Sequence, residues 1–318
     1  MEKNHYEPAT KPTLYFIGVT TSKSSIMNLF PKWAEYLRLG DCEIKGVDFL
    51  PNDETAKYRE CVEFIKKDPL SKGALITTHK IDIYFSCADQ FDYLDEHSTT
   101  MGEISCISKD GNKLLGHAKD PISSDLALNR ILPEDYWKEK DGEVLCLGAG
   151  GAAISILYNL NRKRQQGNHP SKIFVTDIRK SRLESIQKIY RKFDTKVPIE
   201  LHQCSEIKNN DELTTNLKPH SLIINATGLG KDKPGSPFTW DVQYPQNSIV
   251  WELNYRGELI FLDQAESQRN KKNLTIHDGW IYFIHGWLEV IAEVFQMEIK
   301  NSGDYFENLS EIAWSIRK

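Results

Sequence analysis

The sequence contains no apolar run of the roughly 18 residues that a membrane-spanning helix requires. Its opening, Met1-Glu2-Lys3-Asn4-His5-Tyr6-Glu7, lacks the apolar core of a signal peptide. These absences give the expectation of a cytoplasmic protein with no membrane partner. Positive charge is not in excess either: 40 Lys and Arg stand against 45 Asp and Glu, a net charge of −5 at pH 7. So balanced a chain carries no electrostatic footprint for nucleic acid, and its basic run Arg162-Lys163-Arg164 reads as solvated surface. The six cysteines, Cys42, Cys61, Cys87, Cys106, Cys146 and Cys204, form no Cys-x-x-Cys pair and show no metal-like spacing with histidine. They read as reduced thiols, several of them buried, and no metal site is expected. Internal repeats and low-complexity segments are also missing. What is present is 318 residues with 40% hydrophobic content, enough for two packed cores.

Short apolar runs alternate with helical patterns along the first half. Residues 14–19, 44–50 and 74–78 read as strands, separated by helices near 25–39 and 54–67. Pro31 lies inside the first helical pattern, so that helix is either kinked there or starts later. Residues 103–108 and 113–117 are strand-like and joined by Lys109-Asp110-Gly111-Asn112, whose Asp-Gly pair predicts a hairpin. A helix over 121–132 carries Pro121 in its first turn, and the domain boundary is placed near its start. Strands at 144–148, 172–177, about 200–204, 221–225 and 248–253 then alternate with helices, which predicts a mostly parallel sheet. Residues 164–171 are polar and turn-rich and read as an enlarged loop. Two aromatic-rich helices, 279–297 and 304–316, need a partner for their apolar faces and are expected to return to the first domain.

The most informative segment is Val144-Leu145-Cys146-Leu147-Gly148-Ala149-Gly150-Gly151-Ala152-Ala153, an apolar strand running into a glycine turn and a helix. Gly148 suits a tight turn, Gly150 lets backbone amides approach a pyrophosphate, and Ala153 allows close packing of helix on strand. The helix starting near Gly151 and Ala152 offers N–H groups and its positive end to phosphates. A second strand ends in Asp177, where an adenosine ribose hydroxyl would be held. The predicted fold is therefore α/β with two domains: residues 1–120, completed by helices within 279–318, and a Rossmann-like doubly wound dinucleotide-binding unit over 121–278. A cleft between them would hold the site.

Several motifs, in order, resemble the shikimate/quinate dehydrogenase superfamily over residues 14–296. Ser22-Lys23-Ser24 resembles the family's Ser-x-Ser segment, which holds a substrate carboxylate; an ordinary helix cap by Ser24 or Ser25 is the alternative. Leu75-Ile76-Thr77-Thr78-His79-Lys80 is similar to Asn-Val-Thr-x-Pro-x-Lys, lacking its asparagine and proline and one residue of spacing. Gly116-His117-Ala118-Lys119-Asp120 stands where the family has Asn-Thr-Asp. By that resemblance Lys80 and Asp120 are the catalytic pair, handling a hydroxyl proton while hydride is exchanged with a nicotinamide. Gly102-Glu103-Ile104-Ser105-Cys106 occupies the place of Gly-Ala-x-Asn-Thr, with Ser105 at the substrate-contacting asparagine. Asn225-Ala226-Thr227-Gly228-Leu229-Gly230 resembles Asn-Ala-Thr-Ser-x-Gly on the nicotinamide side, and Trp251-Glu252-Leu253-Asn254-Tyr255 resembles Asp-x-x-Tyr. After Gly279 the family carries a substrate-reaching glutamine. An ungapped count gives Gly286 and a one-residue shift gives His285, which is preferred.

The resemblance thus implies Ser22, Ser24, Thr77, Ser105, Tyr255 and His285 as substrate contacts. It implies Gly148, Ala149, Gly150, Gly151, Ala152, Asp177, Asn225, Thr227 and Gly279 as cofactor contacts. Losing two amide side chains and gaining a glutamate, a histidine and a lysine implies a differently substituted ring. Asp177 accepts a ribose hydroxyl and repels a 2′-phosphate, so NAD is preferred over NADP, although Arg179, Lys180 and Arg182 lie close by. The implied activity interconverts a secondary alcohol and a ketone on a shikimate- or quinate-like ring acid. The alternatives are a dehydrogenase of an uncharged cyclitol or sugar-like ketone, and a non-catalytic NAD-binding regulator. The partner is a small molecule, and monomer and homodimer stay open.

Overall fold

The computed structural model describes residues 6–51, 53–164, 167–193, 197–231 and 233–317. Residues 1–5 of the opening segment and Gln165 and Gln166 of the expected polar loop lie outside the described residues, as do the side chains of Lys163 and Arg164. Arg162 of that basic run is exposed. The chain divides into two compact units, residues 1–123 with 284–318, and residues 124–283. Among the described residues no helix is long and apolar enough to cross a membrane.

In chain order the first unit contains β1 (Thr13–Gly18), α1 (Ile26–Tyr36), β2 (Glu43–Asp48), α2 (Thr55–Lys67), β3 (Ser71–Ile76) and α3 (Lys80–Cys87). β4 (Tyr93–Leu94), α4 (Glu96–Met101), β5 (Cys106–Asp110), β6 (Lys113–His117) and α5 (Asp120–Ile131) follow, the last crossing into the second unit. The sheet order is β2-β1-β3-β5-β6-β4. All six residues of β1 are buried, as expected of a parallel strand covered on both faces. Tyr15 and Ile17 of β1 pack with Tyr58, Val62 and Ile65 of α2 in one apolar cluster. The expected hairpin is present, with Cys106 opposite His117 and Asp110 opposite Lys113, although its first strand begins at residue 106 rather than 103.

Pro31 does not delay α1, which begins five residues before it. The missing N–H weakens the ladder, but Ile26, Leu29, Phe30, Trp33 and Ala34 form a continuous buried face. Packing of that face overrides the local cost.

The second unit contains β7 (Val144–Leu147), α6 (Gly151–Arg164), β8 (Ile173–Asp177), α7 (Lys180–Tyr190), β9 (Ile199–Gln203), α8 (Ile207–Thr215) and β10 (Leu222–Asn225). β11 (Ile249–Glu252), α9 (Ile260–Glu266), α10 (Arg269–Lys272) and β12 (Thr275–His277) complete its sheet, before α11 (Trp280–Val294) and α12 (Gly303–Trp314). All of its pairings are parallel, in the order β12-β11-β10-β7-β8-β9. Counted from β7, this is the doubly wound order that reverses direction between its first and fourth strands, where such sheets bind ligands at their carboxyl ends.

The C-terminal helices build the first unit, as their apolar faces required. Trp33 Nε1 donates to Leu309 O at 2.9 Å, and Phe16 meets Trp287 edge-on with ring centroids 5.0 Å apart. The cysteines are free and five of the six are buried. Burial pushes the Cys146 thiol up to about 12, so it packs as a small hydrophobe.

Candidate active site

β3 ends at Ile76, and the turn that follows presents Lys80 as the first residue of α3. Thr77 Oγ1 donates to Ile17 O at 3.2 Å, tying this turn to β1. His79 is fully buried between Tyr58 OH, 2.9 Å from Nδ1, and Gly18 O, 3.2 Å from Nε2. Where the family signature relies on proline, this chain fixes the turn with a histidine anchored on both ring nitrogens. Lys80 Nζ then forms an ion pair and hydrogen bond with Asp120 Oδ2, the two side chains being 20% and 10% exposed. Burial opposes the Lys80 ammonium, but the charges of Asp120 and Glu103 outweigh it and hold its pKa above the ordinary value.

Asp120 opens α5 directly after the β5–β6 hairpin, where the helix dipole favours a carboxylate. The preceding loop is held by Ser105, whose Oγ accepts from Lys119 N at 2.7 Å and donates to His117 O at 3.5 Å. Ser105 is only 2% exposed, so its hydroxyl shapes the site by bracing the segment that carries Asp120. Lys119 Nζ pairs with Glu293 Oε2 at 2.7 Å, and His117 Nε2 lies 3.2 Å from Glu293 Oε1 and 2.9 Å from Ser108 Oγ. On the other side of the ring, Nδ1 is 3.6 Å from Asp95 Oδ2. Burial raises the Glu293 carboxyl, but hydrogen bonding from Lys119 and the charges of His117 and Lys119 bring it below its ordinary value. This network escaped the sequence reading. Its signal was Glu289 and Glu293, four residues apart on the otherwise apolar α11.

Ser22 and Ser24 sit at the start of α1, Ser22 exposed and Ser24 buried. Ser25 occupies the cap position in helical conformation and makes no side-chain capping bond, which sets aside its capping alternative. His285, expected as a ligand contact, lies in the interior instead of at a surface. It is 1% exposed and stacks on Phe306 with centroids 4.6 Å apart, because α12 covers that side of α11. Gly286, the ungapped position, is partly exposed, with open space where a Cβ would stand, whereas His285 faces the core.

In the second unit, Gly148 adopts φ +99, and a Cβ there would stand 2.8 Å from Ala226 O. A side chain is therefore excluded both by conformation and by the loop after β10. Ala149 N donates to Asp177 Oδ2 at 3.0 Å and Arg179 N to Asp177 Oδ1 at 2.8 Å, so the carboxylate orders the glycine turn. An ionised carboxylate has about four acceptor positions, leaving capacity for a ribose hydroxyl. Gly150 has no atom within 4 Å of where a Cβ would project. Gly151 and Ala152 begin α6, whose first N–H groups lack intrahelical partners. Open backbone, helix N-terminus and terminal carboxylate together fit a dinucleotide pyrophosphate and ribose.

Asn225 Oδ1 accepts from Thr227 N and Thr227 Oγ1 at 3.0 and 2.6 Å, while its Nδ2 donates to Glu252 Oε2 at 2.5 Å. Glu252 also accepts from Asn254 N at 2.7 Å; burial outweighs these bonds and pushes it up to about 7. These residues fold the loop that abuts Gly148. Gly279 packs its Cα against Leu253 O, and Tyr255 packs on Phe283 and Trp280 at 4.4 and 5.1 Å between ring centroids. Among the implied contacts, Asn225, Thr227, Gly279 and Tyr255 thus have clear architectural roles.

Sheet order and glycine turn define a two-domain α/β protein whose second unit is of the dinucleotide-binding type. No family model matches the chain. The shikimate dehydrogenase (NADP(+)) of Caldicellulosiruptor saccharolyticus is 28% identical over 227 residues, covering 70% of this chain and 72% of that protein. Its counterpart in Caldicellulosiruptor bescii is 26% identical over 258 residues, 80% of this chain and 79% of that protein. Among solved structures, the quinate dehydrogenase from Corynebacterium glutamicum in complex with NAD matches with a TM-score of 0.71 at 17% identity, covering 96% of this chain and 99% of that one, a likeness of fold. The chain is thus similar in sequence to shikimate dehydrogenases and in fold to a quinate dehydrogenase.

Proposed function

We propose that this protein is an NAD(P)-dependent oxidoreductase that interconverts a secondary alcohol and a ketone on a shikimate- or quinate-like hydroxylated ring acid. The observation that carries this reading is the half-buried Lys80–Asp120 pair at adjoining helix starts. The chain's similarity in sequence to shikimate dehydrogenases (NADP(+)) supports it. A bound nicotinamide supplies or accepts the hydride. Lys80 and Asp120, joined at Lys80 Nζ, act together on the reacting oxygen and receive or return its hydroxyl proton. Ser22 and Ser24 hold the ring carboxylate, with Thr77 fixing the turn that presents Lys80. The 148–152 turn binds the pyrophosphate, and Asp177 accepts a ribose hydroxyl, which favours NAD over NADP.

The test is nicotinamide absorbance with NAD and with NADP across shikimate, quinate, related hydroxycyclohexane acids and uncharged cyclitols. Turnover of a ring acid is expected; turnover of a cyclitol alone would move the assignment to the uncharged substrate. Lys80→Ala and Asp120→Asn should each lower kcat by at least about 100-fold while leaving dinucleotide binding in place. Near-normal turnover in either variant would remove that residue from the mechanism. Asp177→Ala should weaken NAD far more than NADP, and an unchanged preference in binding titrations would exclude its role.

A further inference from the structure

Glu103 is 1% exposed, and its Oε1 makes no hydrogen bond to any described residue. It follows Gly102, the left-handed residue that ends α4, and its own N–H donates to Ser98 O at 3.3 Å. The next two residues join both halves of the proton-transfer pair: Ile104 N donates to Lys80 O at 3.1 Å, and Ser105 Oγ accepts from Lys119 N, next to Asp120, at 2.7 Å. The backbone thus places the glutamate between the segments that present Lys80 and Asp120. An ionised carboxylate without a hydrogen-bond partner is costly in such a site, whereas the neutral acid is tolerated.

We propose that Glu103 is a positioning residue for the Lys80–Asp120 pair, an uncharged carboxylic acid whose ionisation adds a second negative charge beside Asp120 and makes Lys80 a weaker proton donor. This rests on the dehydrogenase reading above and deepens it. The charged groups that act on Glu103 are Asp120 at the start of α5, Lys80 at the start of α3 and Asp95 at the start of α4. Asp95 is itself engaged by Ser98 N at 2.7 Å and by His117. Burial first, and then the charge of Asp120, push Glu103 up to about 8, against the pull of Lys80. Near neutral pH the pair therefore keeps zero net charge, Lys80 positive and Asp120 negative. Above that range the triad carries one extra negative charge, which favours retention of protons. In the direction of ketone reduction the substrate oxygen gains hydride at its carbon and a proton from the pair. The proton returns from solvent, with Glu103 setting how readily the pair yields it. Ionised Glu103 slows that donation and assists uptake of the hydroxyl proton in the reverse direction.

The deciding experiment is nitrogen-15 NMR of Lys80 Nζ in the full chain without ligands, titrated with pH. The wild-type resonance should step near pH 8, and the step should vanish in Glu103→Gln while persisting in Glu252→Gln, a titrating glutamate of the second unit. Glu103→Ala, which demands no partner for a buried amide, repeats the test if the glutamine variant does not fold. No step in the wild type, or a step that survives loss of Glu103, overturns the proposal. With a ring substrate in hand, kcat for ketone reduction should fall to a lower plateau above about pH 8 in the wild type, and this limb should be lost in Glu103→Gln. An unchanged limb overturns the positioning role. A Lys80 step without turnover of any ring would retire the substrate reading and leave the Glu103 assignment standing.

Discussion

Gly279 and Gly150 are the same residue type in opposite circumstances. A Cβ at Gly279 would stand 1.9 Å from Leu253 O, backbone that cannot swing away, whereas a Cβ at Gly150 meets nothing. Gly279→Ala should therefore destabilise the protein by about 1–3 kcal/mol in denaturant unfolding, with effects on dinucleotide affinity only as a consequence. Gly150→Ala should leave the unfolding midpoint near that of the wild type and weaken dinucleotide binding, because the methyl group takes space that a phosphate needs. The pair of variants separates a packing glycine from a binding glycine, a distinction invisible in the letters. Lys80 and Asp120 were legible from motif position. Ser105 and Asn225 stood equally clearly in their motifs, but their polar atoms are committed to Lys119 N and His117 O, and to Thr227 and Glu252. Hydrogen bonds to partners 12 to 27 positions away, as for Ser105 and for Asn225 with Glu252, leave no local pattern to read.

At the level of elements, periodicity located strands and long helices because one buried face per element imposes a repeat. It failed where packing overrode local preference. α1 continues through Pro31 since its buried face includes Trp33, whose indole N–H reaches Leu309 O in α12. Trp33→Phe keeps most of the apolar contact and removes that donor; a loss of about 1 kcal/mol is expected in chemical denaturation. A change below a few tenths would show that the bond adds nothing to the packing. The same α12 decides the fate of His285 by stacking Phe306 on it. Consecutive positions on α11, His285 and Gly286 point about 100° apart. Only the arrival of another helix on one flank determines which of them is buried.

For the whole molecule, buried carboxyl groups set the pH range of stability from both ends. Glu103 and Glu252 are pushed up from 4.5 to about 8 and about 7, so the stability they contribute is complete below the unfolded value and is lost as pH rises through those values. Asp95 and Glu293 are held below their ordinary values by hydrogen bonds and the nearby His117 and Lys119, so their contribution is present above the unfolded value and is lost as pH falls. Tm should decline as pH rises from about 5 to about 8, between the unfolded and folded values of these two groups, and Glu103→Gln and Glu252→Gln should each flatten that decline. A slope unchanged in both variants would place the alkaline sensitivity elsewhere.

The sequence by itself determined the α/β class, the parallel second sheet and the glycine turn with Asp177, and it singled out Lys80 and Asp120, which the fold joins in an ion pair. Each of these depends on interactions within a few residues or on a repeat along one element. Tertiary structure alone decided that Glu103 is buried on the segment bonded to Lys80 O, that Glu293 joins Lys119 and His117, and that His285 is buried under Phe306. Those outcomes depend on which segments, well separated along the chain, meet in the fold. Chain folding sets such meetings through the summed burial of many apolar side chains, and no short stretch of sequence encodes that sum.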